Sequence, residues 1–509
     1  MLLEELVSVS SAVAGTSARR AKVALLADAL RRLRPEEVPV AVAYLSGEIP
    51  GGTVGVGWAS LRDPPPPAPR PSLELRDVQA SLERIRGAAG RGSQAARRQA
   101  LHDLLGRATQ AERRFLVGLL LGEIRQGALE GVMVEAVAAA AGLPAGEVRR
   151  ALMLAGELGA VAGAALAPGG AGLTPFRLVP LRPVKPMLAQ TAEDLEDALG
   201  RASPAAVEWK LDGARLQVHR DGGEIRAFTR TLADVSSRVP EIVRAVAGLP
   251  VRSVVLDGEA IALRPDGRPR PFQETMRRFG SRLDVDRLAD ALPLTVAFFD
   301  CLHLDGEDLI DRPLRERSVA LAERVPGELR VPRREAAGPE AARAVLEEAL
   351  ARGHEGVMVK ALGSPYEAGR RGAAWLKVKR ARTLDLVVLA AEWGHGRRRG
   401  WLSNLHLGAR DPRTGGFVML GKTFKGLTDE MLRWQTDELL RRATAREGIT
   451  VHVRPELVVE VAYDGVQASP RYPGGVALRF ARVKGYRPDK RPEEADTIDA
   501  VRAVLGPGP

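Results

Sequence analysis

Cysteine is almost absent: Cys301 is the only one in 509 residues. One thiol can close no internal disulfide and build no four-cysteine zinc site, so a disulfide scaffold and a cysteine-ligated zinc module are both excluded. A reducing compartment fits, with Cys301 in the core. Aromatic residues are scarce at 4%, and Asn404 is the only asparagine. Arginine greatly outnumbers lysine, a bias that a GC-rich genome and a need for thermal durability explain equally well. A signal-like start is missing too, since the chain opens Met1-Leu2-Leu3-Glu4-Glu5, and the apolar run Phe115 to Leu121 is far too short to cross a bilayer. A cytoplasmic protein with no membrane partner is expected.

What is present is ordinary for a folded protein: 45% hydrophobic and 27% charged residues, enough to build real cores. A chain of 509 residues exceeds one core, and the size prior of ~100–200 residues per domain implies about three. The formal charge of +11 suits a polyanionic partner. Solvated arginine-rich faces account for it equally.

From Leu2 to about Ala162, apolar residues recur at helical spacing, as in Phe115, Leu116, Leu119, Leu120 and Ile124, so an all-α domain is expected over 1–170. The stretch Asp63 to Pro71 interrupts it, because proline fixes φ and removes a donor; an extended connection and a proline-recognition ligand are both open. Glycine and proline crowd Pro168 to Pro186 and mark a linker. An α+β domain follows over 171–382. Its strands are Leu216 to Arg220 and Glu224 to Thr229 around the Asp221-Gly222-Gly223 turn, then Ser253 to Asp257, Leu294 to Asp300, Gly356 to Lys360 and Trp375 to Lys379. Over 383–509, short strands and one helix near Asp429 to Arg442 predict a β-barrel, with an OB-fold as the leading candidate.

One motif misleads. Gly416 to Thr423 satisfies the P-loop spacing, yet its four middle residues are bulky and apolar and read as a strand, and Gly426-Leu427-Thr428 delays the next helix. Lys422 and Lys425 keep only a potential phosphate contact.

The informative octapeptide is Glu208-Trp209-Lys210-Leu211-Asp212-Gly213-Ala214-Arg215, which puts a lysine at a strand end before a glycine that permits a tight turn. Lysine attacks phosphorus only when neutral, and its reference pKa of ~10.4 requires desolvation or nearby positive charge to fall. A surface turn explains the octapeptide alone as well. Further elements follow in order: Leu256-Asp257-Gly258-Glu259, Ala297-Phe298-Phe299-Asp300, Glu355 to Lys360, Trp375 to Lys379, and Arg479 to Arg482 with Arg487-Pro488-Asp489-Lys490. Glu259 and Glu355 read as strand-end carboxylates suited to a hydroxyl or Mg²⁺. Phe299 could be core.

Taken together and in this order, these elements resemble the covalent nucleotidyltransferase superfamily and, within it, the ATP-dependent DNA ligases. The resemblance makes 171–382 the adenylation domain, Lys210 the nucleophile that carries AMP, Phe299 the ring that stacks on adenine, and Glu208 a reader of the base. It assigns Glu259 to the nucleotide and, with Glu355, to a metal. Arg215 and Arg230 would lie along the nucleotide and the incoming DNA phosphate, and Arg371, Lys377 and Lys379 along the triphosphate. Arg482, Arg487, Asp489 and Lys490 would orient pyrophosphate.

Glu123 to Gly131 resembles the DNA-binding helical domain of archaeal and eukaryotic-type ligases, an architecture shared by actinobacterial ATP-dependent ligases. Arg125, Gly127 and the Gly87 to Gly92 turn would then contact backbone phosphate or the minor groove, while helix packing stays open for Gly127. Arg182 to Leu188 resembles the entry to the catalytic domain. The implied cofactors are ATP and Mg²⁺, the implied partner is nicked duplex DNA encircled by a monomer near the nucleoid, and replication, repair and recombination are the processes in which such an enzyme serves. No clamp-binding peptide stands out, although a sliding clamp is compatible.

Three alternatives are weighed by what each requires. An NAD-dependent ligase needs a cysteine zinc module. An RNA ligase or capping-type nucleotidyltransferase shares Lys-x-Asp-Gly but does not account for Glu123 to Gly131. A non-catalytic DNA-binding protein on a ligase scaffold predicts a lost nucleophile or lost Lys377 and Lys379, and all three are retained.

Overall fold

The computed structural model describes residues 1–90, 92–124, 126–127, 130–167, 172–281, 283–368, 372–379 and 382–504. It divides into two compact units, Met1–Val378 and Lys379–Pro509.

Among the described residues the first unit begins with nine α-helices: α1 (Leu3–Ala14), α2 (Arg19–Arg31), α3 (Val38–Leu45), α4 (Leu75–Gly87), α5 (Ser93–Arg107), α6 (Gln110–Leu120), α7 (Glu130–Ala141), α8 (Ala145–Ala155) and α9 (Leu158–Leu166). Apolar spacing explains them. In α4, Leu75, Val78, Leu82 and Ile85 fall on one stripe and are all buried, joining Leu30, Tyr44, Leu116 and Val137 in one core. Thr109 starts α6 with a capping box: Glu112 N donates to its Oγ1, and its own N–H donates to Glu112. The proline-rich stretch carries neither helix nor strand between Pro64 and Leu73, as the missing donors dictate. Among the described residues no single helix is long and apolar enough to cross a membrane.

Two five-stranded sheets follow. Their elements in chain order are β1 (Gln190–Thr191), α10 (Leu195–Ala202), β2 (Ala205–Lys210), β3 (Ala214–Asp221), β4 (Glu224–Thr229), α11 (Pro240–Ala247), β5 (Ser253–Ala262), α12 (Phe272–Gly280), α13 (Val285–Ala291), β6 (Leu294–Leu304), β7 (Glu307–Asp308), α14 (Leu314–Arg324), β8 (Arg333–Glu335), α15 (Pro339–Ala351), β9 (Gly356–Ala361) and β10 (Trp375–Lys379). One sheet has the order β1-β10-β9-β2-β8 and the other β4-β3-β5-β6-β7. Alternation along β9 sends Val357 and Val359 into the core under α10 and α15, which leaves Met358 and Lys360 for the opposite face. Cys301 is buried, as expected.

A third apolar cluster binds the helical part to these sheets. Met153 and Leu154 of α8 pack with Leu178, Val184, Met187, Leu302, Tyr366 and Trp375. Lys185 adds a backbone bond to the Met153 carbonyl at 2.8 Å and an ion pair with Glu130.

Two sequence expectations change here. Glu259 is not at a strand end: β5 runs on to Ala262 and pairs Glu259 with Arg215 and Ala297, because a register shift at Asp257/Gly258 absorbs the irregularity that looked like a terminus. Gly213 does not adopt a left-handed φ; it is needed because any Cβ there would collide with the Ala260 carbonyl on β5.

The second unit contains β11 (Arg382–Trp393), β12 (Leu402–Arg410), β13 (Phe417–Thr423), α16 (Asp429–Arg441), β14 (Ala443–Glu447), β15 (Thr450–Val453), β16 (Val458–Tyr463), β17 (Gly465–Ala468), β18 (Val476–Arg479), β19 (Arg482–Tyr486) and α17 (Ile498–Ala503). The long β11 pairs with β12, β15 and β16, and so joins both halves of a seven-stranded sheet. The P-loop lookalike is β13 itself, with Lys422 ion-paired to Glu392.

Arg317 of α14 is fully buried against Asp300 of β6, with bonds of 2.7 and 3.1 Å, and also holds the Ser364 carbonyl at 3.0 Å. Substituting Arg317→Leu leaves the Asp300 carboxylate uncompensated and should cost about 3–5 kcal/mol. Denaturant unfolding checks this; a loss below about 1 kcal/mol would show that the pair contributes little.

Candidate active site

The two sheets line a cavity of about 1120 Å³. Lys210 ends β2 and sits opposite Gly356 on β9, so its side chain reaches the cavity while its ammonium pairs with the Glu355 carboxylate. Glu259 reaches the same place from β5 and accepts a hydrogen bond from Gly213 N at 3.2 Å. Burial pushes its carboxyl up to about 7, against the pull of Lys210, Arg215 and the Gly213 amide.

Arg215, opposite Glu259 on β3, is locked by a forked pair to Asp257 at 3.0 and 2.6 Å. It also donates to the Met187 carbonyl and, at 3.1 Å, to Tyr366 Oη. Tyr366 in turn donates to Asp257 at 2.6 Å. Burial opposes the Arg215 charge, but Asp257, Tyr366 and Glu259 together outweigh it and raise the guanidinium above its ordinary value. Burial likewise pushes the Tyr366 phenol up.

Glu208, two residues before Lys210, is buried with a cation on each oxygen. Arg333 Nε donates to Oε1 at 2.6 Å, and Lys360 Nζ lies 2.7 Å from Oε2. Arg333 also donates to the Phe299 carbonyl, and the Lys360 ammonium lies 4.3 Å from the Phe299 ring centroid and 4.1 Å from that of Trp375. Burial lowers the Lys360 pKa while Glu208 opposes that shift.

Of the residues expected from sequence, Glu208, Lys210, Arg215, Arg230, Glu259, Phe299 and Lys377 line this cavity, with Glu355 held on Lys210. Lys379 does not line it and pairs with Asp464 at 3.0 Å. Arg371 and Arg125 lie outside the described residues. Gly127 has φ of +68° in a turn ahead of α7, where a Cβ would press on the Lys22 ammonium, so tight-turn geometry replaces helix packing. In the second unit, Arg487 bonds Asp489 at 2.7 and 2.9 Å and both Arg487 and Lys490 pair with Asp385, while Arg482 is exposed at the start of β19. Sequence reasoning gave no role to Lys360 and Asp257, which lie within its motifs, and passed over Arg333 and Tyr366, which lie outside them. Among the described residues no cluster of three or more His, Cys, Asp or Glu forms a metal centre.

The comparisons with known proteins agree along the chain. Family models match residues 186–379 (ATP dependent DNA ligase domain), 59–138 (DNA ligase N terminus) and 398–490 (ATP dependent DNA ligase C terminal region). A probable DNA ligase of Anaeromyxobacter dehalogenans (strain 2CP-C) is 64% identical over 512 residues, covering 99% of this chain and 100% of the relative. Another, from Streptomyces coelicolor, is 56% identical over 507 residues and covers 99% of each. The chain belongs to the ATP-dependent DNA ligase family. A solved structure named Pmar-Lig_PreS3, 18% identical, shares the fold over 95% of this chain and 99% of its own, with a TM-score of 0.62.

For this ligase-family chain the raised Glu259 carboxyl has a measurable consequence. Between pH 4.5 and about 7 the folded state keeps a proton that the unfolded state has released, so stability falls as pH rises through that window and levels off above it. Relative to Glu259→Gln, which cannot titrate, the unmodified chain should lose up to about 3 kcal/mol across the window. Urea unfolding of both proteins at pH 4.5, 6 and 8 tests it, and a constant difference would refute the shift.

Proposed function

We propose that the chain seals 5′-phosphate/3′-hydroxyl nicks in duplex DNA at the expense of ATP, through a lysyl-AMP intermediate. The observation that carries this reading is Lys210 itself: a primary amine at a strand end, held by Glu355 in a cavity with a ring, Phe299, and a buried carboxylate, Glu208. The Lys210 nitrogen, once it has lost its proton, attacks the α-phosphorus. The bond to the leaving pyrophosphate breaks, and AMP remains on nitrogen. AMP then passes to the 5′-phosphate at the nick, and the 3′-hydroxyl displaces it.

In this reading Glu208 and Phe299 take the base, while Arg215, Arg230, Arg371 and Lys377 face phosphate. The residues fit Mg²⁺: Glu259 and Glu355 are two carboxylates close to Lys210, and magnesium is commonly held by one or two carboxylates with substrate phosphate. It would screen the phosphate oxygens there. Arg482, Arg487, Asp489 and Lys490 orient pyrophosphate, with Asp385 holding two of them ready. Arg125 and Gly127 meet DNA backbone.

The domains of this enzyme are an all-α DNA-binding domain over 1–170, an adenylation domain over 171–382 and an OB-fold over 383–509. Support for the last comes from the bond Val483 N to Lys425 O, 2.9 Å, which joins the start of β19 to the segment after β13 and favours a closed barrel. The enzyme works as a cytoplasmic, nucleoid-associated monomer on nicked duplex DNA.

Incubation with Mg²⁺ and ATP should add one AMP to the protein by mass spectrometry. Lys210→Ala should abolish both adduct and sealing, and Lys210→Arg should be equally inert because guanidinium stays protonated. An unmodified wild-type mass would overturn the mechanism, and preferential sealing of nicked RNA would overturn the substrate.

A further inference from the structure

Lys360 is a cation in a place that packing alone does not call for. Its side chain is almost wholly buried, between the Phe299 and Trp375 rings and beside the Glu208 carboxylate. Apolar side chains of similar length in place of both Lys360 and Glu208 would fill the same space without losing hydration, and buried ion pairs replaced whole by apolar groups often leave proteins as stable or more so. What the ammonium does, and methionine could not, is engage two groups at once. It touches the ring of Phe299, whose backbone carbonyl Arg333 also holds, and it touches the carboxylate of Glu208, whose other oxygen Arg333 holds. Phe299 and the carboxylate stand on strands of different sheets, β6 and β2, and share the same two cations, Lys360 at the ring and Arg333 at the backbone carbonyl.

We propose that Lys360 is the positioning residue for base selection, fixing the Phe299 ring and the Glu208 carboxylate relative to each other so that the cavity takes adenine and rejects guanine. This rests on reading the cavity as the ATP site. Adenine carries an amino donor where guanine carries a carbonyl acceptor, and an ionised carboxylate can only accept. A cation on each oxygen holds the Glu208 carboxylate in one orientation, so it bonds the amino group and repels the carbonyl. Stacking on Phe299 fixes the plane in which that edge is presented. Removing the ammonium frees the carboxylate to turn, and the purine edge is then read poorly.

The test uses the full chain and measures self-adenylylation with ATP, and guanylylation with GTP, over a range of concentrations. Lys360→Met should raise the KM for ATP about tenfold with a much smaller change in kcat, and lower the preference for ATP over GTP by about the same factor. Glu208→Gln should do likewise, and the double variant should be no worse than either single one, since both act through one contact. Lys360→Arg, which keeps the charge, should regain part of the preference. It also decides the matter should Lys360→Met fail to melt cooperatively: Lys360→Arg must then lie below wild type in preference. Wild-type KM and preference in a folded Lys360→Met protein, or in Lys360→Arg as the fallback, would overturn the proposal. So would additive losses in the double variant, which would mean that Lys360 does not work through Glu208. A wild-type chain that takes no AMP from ATP would instead remove the reading of the cavity itself.

Discussion

The pairing of Glu208 with Arg333 and Lys360 joins both walls of the cavity through one carboxylate. All three stand on adjacent strands of one sheet, and their cations reach across to Phe299 on the other. Buried charges of this kind exist only as a set, since removing one partner strands another at a cost of several kcal/mol. Arg215, Asp257 and Tyr366 repeat the arrangement, with Arg215 also reaching Met187 at the entry to the sheets. The consequence is a site whose polar groups are oriented before any ligand arrives, so their desolvation is met during folding rather than at the chemical step.

The basic residues of the chain show where that arrangement matters. Ten lysines and 65 arginines make up its 75 strong cations, yet three of the lysines, Lys210, Lys360 and Lys377, line the cavity, as many as the arginines there. The general preference for arginine is suspended at this spot. Guanidinium cannot give up its proton, so Lys210 holds a position that arginine cannot fill on chemical grounds.

Much of the site was legible because its chemistry is local. Lys210 at a strand end, the Asp221-Gly222-Gly223 hairpin and the strands bearing Phe299 and Lys377 follow from alternation and turn residues over a few positions. What escaped was what depends on distant pairing. Arg333 meets Glu208 across 125 residues and Tyr366 meets Asp257 across 109, separations on which no periodicity bears. Glu259 was misplaced to a strand end because Gly258 looks like a breaker, and only the register of β5 against β6 reveals the continuation. In the second unit β14 is exposed at every residue, so it carries no buried face for alternation to reveal. The reverse case is Gly416 to Thr423, whose letters fit a phosphate loop while its bulky centre makes a strand.

The apolar cluster that receives Met153 and Leu154 has a consequence for modularity. Trp375 belongs to it and also stands edge-on to Phe299 at 5.7 Å, so the floor beneath the Phe299 ring is partly built by α8. Were the helices excised at the linker, Leu178, Val184 and Met187 would lose their cover and water would gain a path to the underside of the cavity. In this chain the helical part is therefore more than an appendage for gripping a substrate: it is the back wall of the catalytic part, and the two could have been shuffled apart only by first re-sealing that seam.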